Sequence, residues 1–416
     1  MLVLFVVAVA NNRAVAQGSP YDFFGFGNPI GVTNAHLEGL SQSAVALTDG
    51  SVINELNPAS YSFFNRTNID VRLRFAYNQS DLAQLSTSGH LVKFSGFNVG
   101  TMFWNKLGLG AAFGFAPITD AEATTTSTDS ISSTISKREG GLSQFYLGAS
   151  LRPISALSLG GRVDVLFGNL LTKYQTSFNG VNIIPGVFQR EYAESGVRGT
   201  FGFLLSLDSL FAELRGVTIG ASYSTGASLT STQRTIVTPI NTILDSIIEV
   251  NGYGYYPSKI QIGIAGRLGD RYRLEADISG QDFSSAYTFS KTKNATGEAT
   301  LGSSNRFSVG FERMSTSTED ARGRNFWDKI GYRIGVSYAS LPFRPSPGVT
   351  VSELGASLGL GVPFASGSNV DFAGQFGIRT PSNTALAPKD LFFKFGVTVG
   401  ISEKWFVPLR RGDDDQ

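Results

Sequence analysis

The chain has 416 residues, no cysteine, 48 glycines, 32 phenylalanines and a formal net charge of +1, and only 16% of its residues are charged. Soluble domains carry roughly 25% charge, so this surface lacks the usual means of facing water on all sides. The absence of cysteine excludes disulfides, a thiol nucleophile, a lipidated N-terminal cysteine and thiolate metal sites, and no basic block invites a nucleic acid.

Residues 1–10 are apolar throughout, and Ala14-Val15-Ala16-Gln17 follows as a small-x-small cleavage site. The run is too short to cross a bilayer as a helix. It reads as a signal peptide over residues 1–16 that exports the chain, without the Lys or Arg that ordinarily precedes the apolar core. No later apolar run reaches the ~20 residues that a membrane helix needs. For an exported chain of amphipathic strands, the membrane option is a closed barrel.

Residues 17–66 do not alternate. Asn34 to Leu47 carries apolar residues at helical spacing and ends at the turn Thr48-Asp49-Gly50. A second turn signal is centred on Asn57-Pro58-Ala59. The segment is too apolar for a disordered tail and is expected either as a plug (a hatch) within the lumen or as a periplasmic cap. Asn57, Pro58 and Ala59 are candidates for a hinge, or Pro58 simply fixes the turn into the first strand.

From Thr67 onward apolar and polar residues alternate, as in Asp70-Val71-Arg72-Leu73-Arg74-Phe75. Successive side chains on a strand point to opposite faces, so each segment has one greasy and one wet face. Fourteen strands are predicted near 67–79, 90–103, 107–118, 141–153, 156–168, 195–208, 214–230, 256–268, 271–289, 299–315, 328–341, 350–363, 369–380 and 390–403. Tight turns near 104–106, 154–155, 209–213, 269–270 and 364–368 alternate with long Ser/Thr/Asn/Gly-rich connections near 119–140, 169–194 and 231–255. Residues 316–327 break the rhythm by running long where a short turn belongs. Short turns on one rim and long loops on the other mark an outer-membrane barrel. The expected fold is therefore all-β: an antiparallel transmembrane barrel over 67–405, followed by an acidic tail, 406–416.

In such a barrel the apolar set, for example Leu391, Phe393, Phe395, Val397 and Val399, faces lipid. The inward set carries both signs of charge: Asp70, Arg72, Arg74, Arg162, Asp164, Arg273, Glu275, Asp277, Arg306, Glu312, Arg333, Asp371, Arg379 and Lys394. These either salt-bridge neighbouring strands across a filled lumen or line a selectivity filter. No catalytic constellation emerges. His36 and His90 are the only histidines, so no metal site and no cofactor are expected. Gly355-Ala356-Ser357-Leu358-Gly359 matches G-x-S-x-G but lies inside a strand rather than at a strand-to-helix elbow. Arg411-Gly412-Asp413 sits in the tail as a chance string, and Ser88 beside His90 is a poor pair. The chain is not expected to be an enzyme.

The order of a small-residue helix, Asp49-Gly50, Asn57-Pro58-Ala59 and then a first barrel strand resembles the FadL-type long-chain fatty acid transporters of Gram-negative outer membranes. Tyr256-Pro257-Ser258-Lys259-Ile260-Gln261-Ile262-Gly263 followed by Leu274-Glu275-Ala276-Asp277 resembles that family's paired central strands. So does Ser308-Val309-Gly310-Phe311-Glu312 leading to Tyr332-Arg333-Ile334-Gly335. Leu107 to Pro117 is similar to its third strand with the Pro-Phe-Gly order altered. The likeness spans nearly the whole mature chain. It implies a fourteen-stranded outer-membrane barrel with an N-terminal hatch, a hydrophobic small-molecule ligand such as a fatty acid or aromatic hydrocarbon, and exit past the hatch or through a gap beside the third strand. Gly108, Gly110, Gly114 and Pro117 suit such a lateral gap, or equally serve ordinary barrel curvature. Passive uptake is the leading expectation, with membrane lipid and the ligand as partners and a monomer as the simplest state. An accessory or shuttle role in protein secretion, a structural barrel and an open water-filled pore are the alternatives.

Overall fold

The computed structural model describes residues 18–404 apart from 83–84, 129–130, 179–183, 208–215, 243, 316–324 and 366. The signal-peptide and acidic-tail expectations, and most of the long connection 316–327, lie outside those residues. The barrel strands are β1 (Thr67–Leu82), β2 (Leu85–Trp104), β3 (Leu109–Pro117), β4 (Ser132–Ile154), β5 (Leu157–Phe178), β6 (Gly186–Ser206) and β7 (Val217–Ser224 with Ala227–Thr238). They continue with β8 (Ser246–Tyr256 with Lys259–Leu268), β9 (Tyr272–Asp282), β10 (Ser303–Arg313), β11 (Gly331–Leu341), β12 (Val351–Ala365), β13 (Ser368–Pro381) and β14 (Lys389–Glu403). Each pairs antiparallel with its sequence neighbour, and β1 pairs with β14 from Thr67↔Glu403 to Asp81↔Lys389, which closes the barrel. Joining the first and last strands satisfies the backbone groups that would otherwise form two open edges in lipid.

The alternation resolves as expected. Val71, Leu73, Leu159, Val163, Leu391 and Val399 are exposed on the outer wall, whereas Arg72, Arg162, Asp164, Arg333 and Arg379 are buried on the inner face. The three long connections do not. Much of 119–140, 169–194 and 231–255 is strand, because β4 to β8 run on as hairpins beyond the apolar band: Ser132↔Phe178, Thr176↔Gly186 and Val237↔Ser246 are paired. The reason is local. Thr is β-branched and prefers extended backbone, but above the lipid no apolar face is needed, so these strands lack the alternation that identifies the others. β9 also stops at Asp282 rather than at 289, where a one-turn 3-10 helix, Phe283–Ser285, breaks it.

The N-terminal segment, residues 18–66, runs inside the barrel. Its expected helix shrinks to α1 (Ala35–Gly39), capped by the Asn34 side chain accepting from the His36 N–H. Ser41 and Gln42 then adopt φ of 52° and 63°, a left-handed conformation that cannot continue a helix. A 3-10 turn, Pro58–Phe63, is capped by Asn57, whose Oδ1 accepts from the Ala59 N–H. Between these turns Val32, Leu37, Ala44, Val45, Leu47, Val52 and Leu56 pack into a small core of their own.

Candidate functional site: the barrel interior

The interior is built by two opposed charge patterns. From residue 18 to residue 65 the chain carries Asp22, Glu38, Asp49 and Glu55 and no Lys or Arg. The inner wall supplies the cations. Glu55 accepts from Arg72, which is fully buried and also bonds Asp70 at 2.7 Å, and Asn98 donates to Glu55 at 2.8 Å. Glu38 pairs with Arg74. Asp49 lies 3.6 Å from Arg273. Burial would raise the Asp49 carboxyl, but Arg273 and His36 beside it hold it below its ordinary value. His36 Nε2 lies 3.3 Å from Glu312, which also binds Arg273 and Arg333. Asp277 accepts the backbone N–H groups of Ala44 and Val45 at 2.7 and 2.9 Å, and Arg162 donates to the Glu55 carbonyl at 2.9 Å.

Glycines on the wall mark where the segment's backbone touches it. A Cβ at Gly110 would sit 2.0 Å from the Tyr61 carbonyl oxygen, and one at Gly160 would sit 2.4 Å from Pro58 C and Ala59 N. Gly220 gives the same clearance to Val45, and Gly335 to Leu40 and Ser41. Only a residue without a side chain permits such approach. Ser357, the centre of the G-x-S-x-G string, belongs to the same seam: its hydroxyl accepts from the Ser41 N–H and donates to the Gly39 carbonyl, each at 2.9 Å.

Asn57, Pro58 and Ala59 sit on this seam. Asn57 Nδ2 donates to the Val45 carbonyl at 2.8 Å and to the Phe203 carbonyl of β6 at 3.0 Å, tying the turn to the segment and to the wall. The third-strand residues Gly108, Gly110, Gly114 and Pro117 fall in and around β3. β3 pairs with β4 from Gly110↔Ser150 to Pro117↔Ser143, and with β2 from Trp104↔Leu109 to Phe97↔Phe115, with Gly114 opposite Asn98. Gly108, at φ 55°, forms the preceding turn, and Gly110 admits the segment. Gly114 lies against Asn98, whose Oδ1 would be 2.0 Å from a Cβ there. Pairing between β2 and β3 ends at Phe97↔Phe115, so Ala116, Pro117 and the β2 residues before Phe97 have no ladder partner across that seam among the described residues.

Arg162, Asp164, Arg273, Glu275, Asp277 and Arg333 all face inward and are tied in networks: Asp164 holds Arg162 and Arg198, and Arg333 bridges Glu312 and Asp371 at 2.8 and 2.6 Å. A cavity of about 160 Å3 lies beside the segment and is lined largely by polar and charged groups. Its charged lining is Arg74, Arg162, Arg198, Lys259, Arg306, Arg379 and Lys394 against Glu55 and Glu353. Sequence reading missed Glu38, Glu55 and Glu353. The signal for Glu38 and Glu55 was the wholly acidic run of 18–65; Glu353 follows from β12 parity.

Above the cavity, toward the long-hairpin rim, lies an apolar recess formed by Ile118, Leu142, Leu166, Leu229, Leu341 and Phe343 among others. The chain fills it with its own aromatics. Tyr21 stacks on Phe343 at 5.6 Å, Phe24 lies 5.9 Å from the same ring, and Phe26 meets Tyr256 edge-on at 5.7 Å. Tyr21 Oη donates to the Pro388 carbonyl at 2.6 Å, which fixes the ring in place.

The sequence profile of the BamG family matches residues 1–410. The chain belongs to the BamG family. No curated protein matches it in sequence. Among solved structures, this BamG-family barrel is similar to the Ralstonia pickettii toluene transporter TbuX (12% identity, TM-score 0.61, 89% of this chain and 98% of that one). It is also similar to a Pseudomonas aeruginosa FadL homologue (13%, TM-score 0.60, 90% and 99%) and to the CymD monoaromatic hydrocarbon channel (14%, TM-score 0.58, 90% and 98%). At such identities the likeness establishes the fold, a FadL-type outer-membrane barrel.

Proposed function

We propose that this BamG-family barrel is a closed outer-membrane subunit that acts through a protein partner rather than by conducting solute through its lumen. The observation that carries the reading is the ion-paired N-terminal segment. Glu38, Glu55 and Asp49 each face a wall arginine, and His36 Nε2 lies 3.3 Å from Glu312. Breaking one buried pair costs roughly 3–5 kcal/mol. Releasing the segment would strand Arg72 and Arg74 on the wall together, so the open state is a minor one. The polar cavity beneath the recess also penalises an apolar ligand, which would desolvate charges without replacing their partners.

A partner role has a feature to act through. The periplasmic connection between β10 and β11 ends in the short helix α2 (Phe326–Lys329), whose Phe326 and Trp327 are 58% and 69% exposed and pack edge-on at 5.6 Å. The test is the size of the complex extracted from its own membrane in mild detergent. A stoichiometric assembly larger than one barrel is expected, and Phe326→Ala/Trp327→Ala should release the barrel from it without lowering the barrel's Tm. A monomer in wild type would sink the reading.

Passive uptake of a small hydrophobic molecule is the second reading. What favours it is the apolar recess, since Tyr21, Phe24 and Phe26 occupy space of the chemistry such a ligand would take. On that reading the segment 20–27 acts as a displaceable hatch tip, and deleting it should create saturable binding of toluene or oleate.

A further inference from the structure

The cavity's charge does not balance, and two of its cations have no counter-ion. Lys259, on the inner face of β8, makes no hydrogen bond and no ion pair among the described residues. The charges acting on it are Arg198, Arg306 and Arg162, with Asp277 as the one carboxylate. That carboxylate already accepts the N–H groups of Ala44 and Val45. Arg198 is held through Nε by Asp164 at 2.9 Å and through Nη2 by Gln144 at 2.7 Å. Arg306 reaches only Ser337 at 2.9 Å, the Ser41 carbonyl at 3.3 Å and Glu353 at 3.6 Å, and its Nε is buried without a partner. On the β14 side Lys394 lies over the Phe392 ring at 4.8 Å and has no ion pair, with Arg74, Arg379, Glu353 and Glu38 around it.

Crediting every carboxylate that pairs with a cavity-lining cation does not close the gap. Seven cations line the cavity; the five arginines are held by Glu38, Asp164, Glu353 and Asp390, and Asp277, the carboxylate acting on Lys259, is engaged by two backbone N–H groups. The excess is the two lysines. Lys259 and Lys394 are only partly exposed and open onto this cavity, so the unpaired positive charge is presented to the cavity, where an anion would be held. About 160 Å3 accommodates on the order of ten waters at roughly 10–15 Å3 each. That suffices for a small hydrated oxyanion. An acyl chain has no place beside it, because the apolar recess above is filled by Tyr21 and Phe26.

We infer that the cavity between the N-terminal segment and strands β6, β8 and β10 is an oxyanion site, with Lys259 as its principal ligand and Arg198 and Arg306 flanking it. The chemistry is that of a small phosphoryl group, free phosphate or a water-soluble phosphate monoester. Lysine serves as the point charge, and the arginine N–H donors fix the oxygens. The site is independent of the closed-barrel reading, since a pocket for a resident anion is compatible with either a conduit or a closed subunit.

The test uses the full chain in detergent. Inorganic phosphate is titrated calorimetrically at constant ionic strength made up with chloride, followed by glycerol 3-phosphate and by phosphatidic acid in mixed micelles. Saturable phosphate binding is expected, weakened at least tenfold in Lys259→Met, retained in Lys259→Arg, and unchanged in Lys106→Met, which alters an exposed turn lysine. Glycerol 3-phosphate should bind and phosphatidic acid should not, because no room is left for acyl chains; tighter binding of phosphatidic acid overturns the small-anion assignment. If Lys259→Met does not fold, Tm of the wild-type chain decides: phosphate must raise it above the value in matched chloride. No phosphate binding in the wild type, or equal binding in Lys259→Met, overturns the inference.

Discussion

Replacing Glu55 with alanine isolates one tie between the N-terminal segment and the wall. In the native chain Glu55 accepts from Arg72 and Asn98, and Arg72 has no solvent-exposed surface. Removing one member of a buried pair costs about 3–5 kcal/mol because the other charge is stranded. Here Asp70 still bonds Arg72 Nε at 2.7 Å, so the lower end, about 3 kcal/mol, applies. Since about 1.4 kcal/mol is a factor of ten, opening of the segment should become more frequent by roughly 100-fold. Native-state hydrogen exchange reads this directly, because exchange of buried amides tracks the free energy of local opening. The amides of Leu56 and Ala59, which donate to Asn54 and Asn57 side chains, should exchange about 100-fold faster in Glu55→Ala. Those of β13 and β14 should not change. Glu249→Ala, on an exposed strand position, is the control. Unchanged exchange at residues 50–60 in Glu55→Ala would refute the reasoning that ion pairs hold the segment.

Two further outcomes follow from the same interior. Gly160→Ala places a Cβ 2.4 Å from the Pro58 carbon and the Ala59 nitrogen, both backbone atoms, whereas a Cβ at the adjacent Gly161 meets nothing within 4 Å. The first should lower thermal stability by about 1–3 kcal/mol, in the range of overpacked cores, and the second should leave the melting curve in place. Asp22 lies in the N-terminal 3-10 turn, where burial pushes its carboxyl well above the ordinary value, with Asp120 adding to the effect. A raised folded-state value means that the folded chain holds a proton that the unfolded chain has released. Stability therefore falls as pH rises from the unfolded value, about 4, through the folded one. Asp22→Asn keeps an acceptor for the Ser19 N–H, bonded at 3.2 Å, and removes that penalty. Its Tm advantage over wild type should grow from pH 4 upward and vanish below it.

The barrel was legible because its physics is repetitive. Lipid on one side and charge on the other force a period of two, and residues such as Val71/Arg72 and Val163/Asp164 display it without ambiguity. Where lipid no longer bears on the chain, as in 169–178 and 231–238, the period fades and the strands read as loops in the sequence. The interior was harder. Which inward charges bond one another depends on shear between strands, and no local pattern reports it: Arg333 reaches Glu312 on one neighbour and, two strands away, Asp371. The acidic bias of residues 18–65 was the readable clue to the segment's placement, since four carboxylates with no basic residue complement a wall rich in arginine. The aromatic filling of the outer recess by Tyr21, Phe24 and Phe26 depends on where residues 20–27 end up, and α1 is too short for helical spacing to have revealed its course.

The central claim is that the interior is closed and holds no apolar conduit, and equilibrium binding of a hydrophobic probe tests it most directly. Purified full-length barrel in detergent, checked for folding by heat-modifiable migration, is titrated with labelled toluene and with oleate. The closed-barrel account predicts no saturable binding above that of empty micelles. One saturable site per barrel, lost when Phe343, which lines the outer recess, is changed to aspartate, would contradict it and establish the interior as a ligand path.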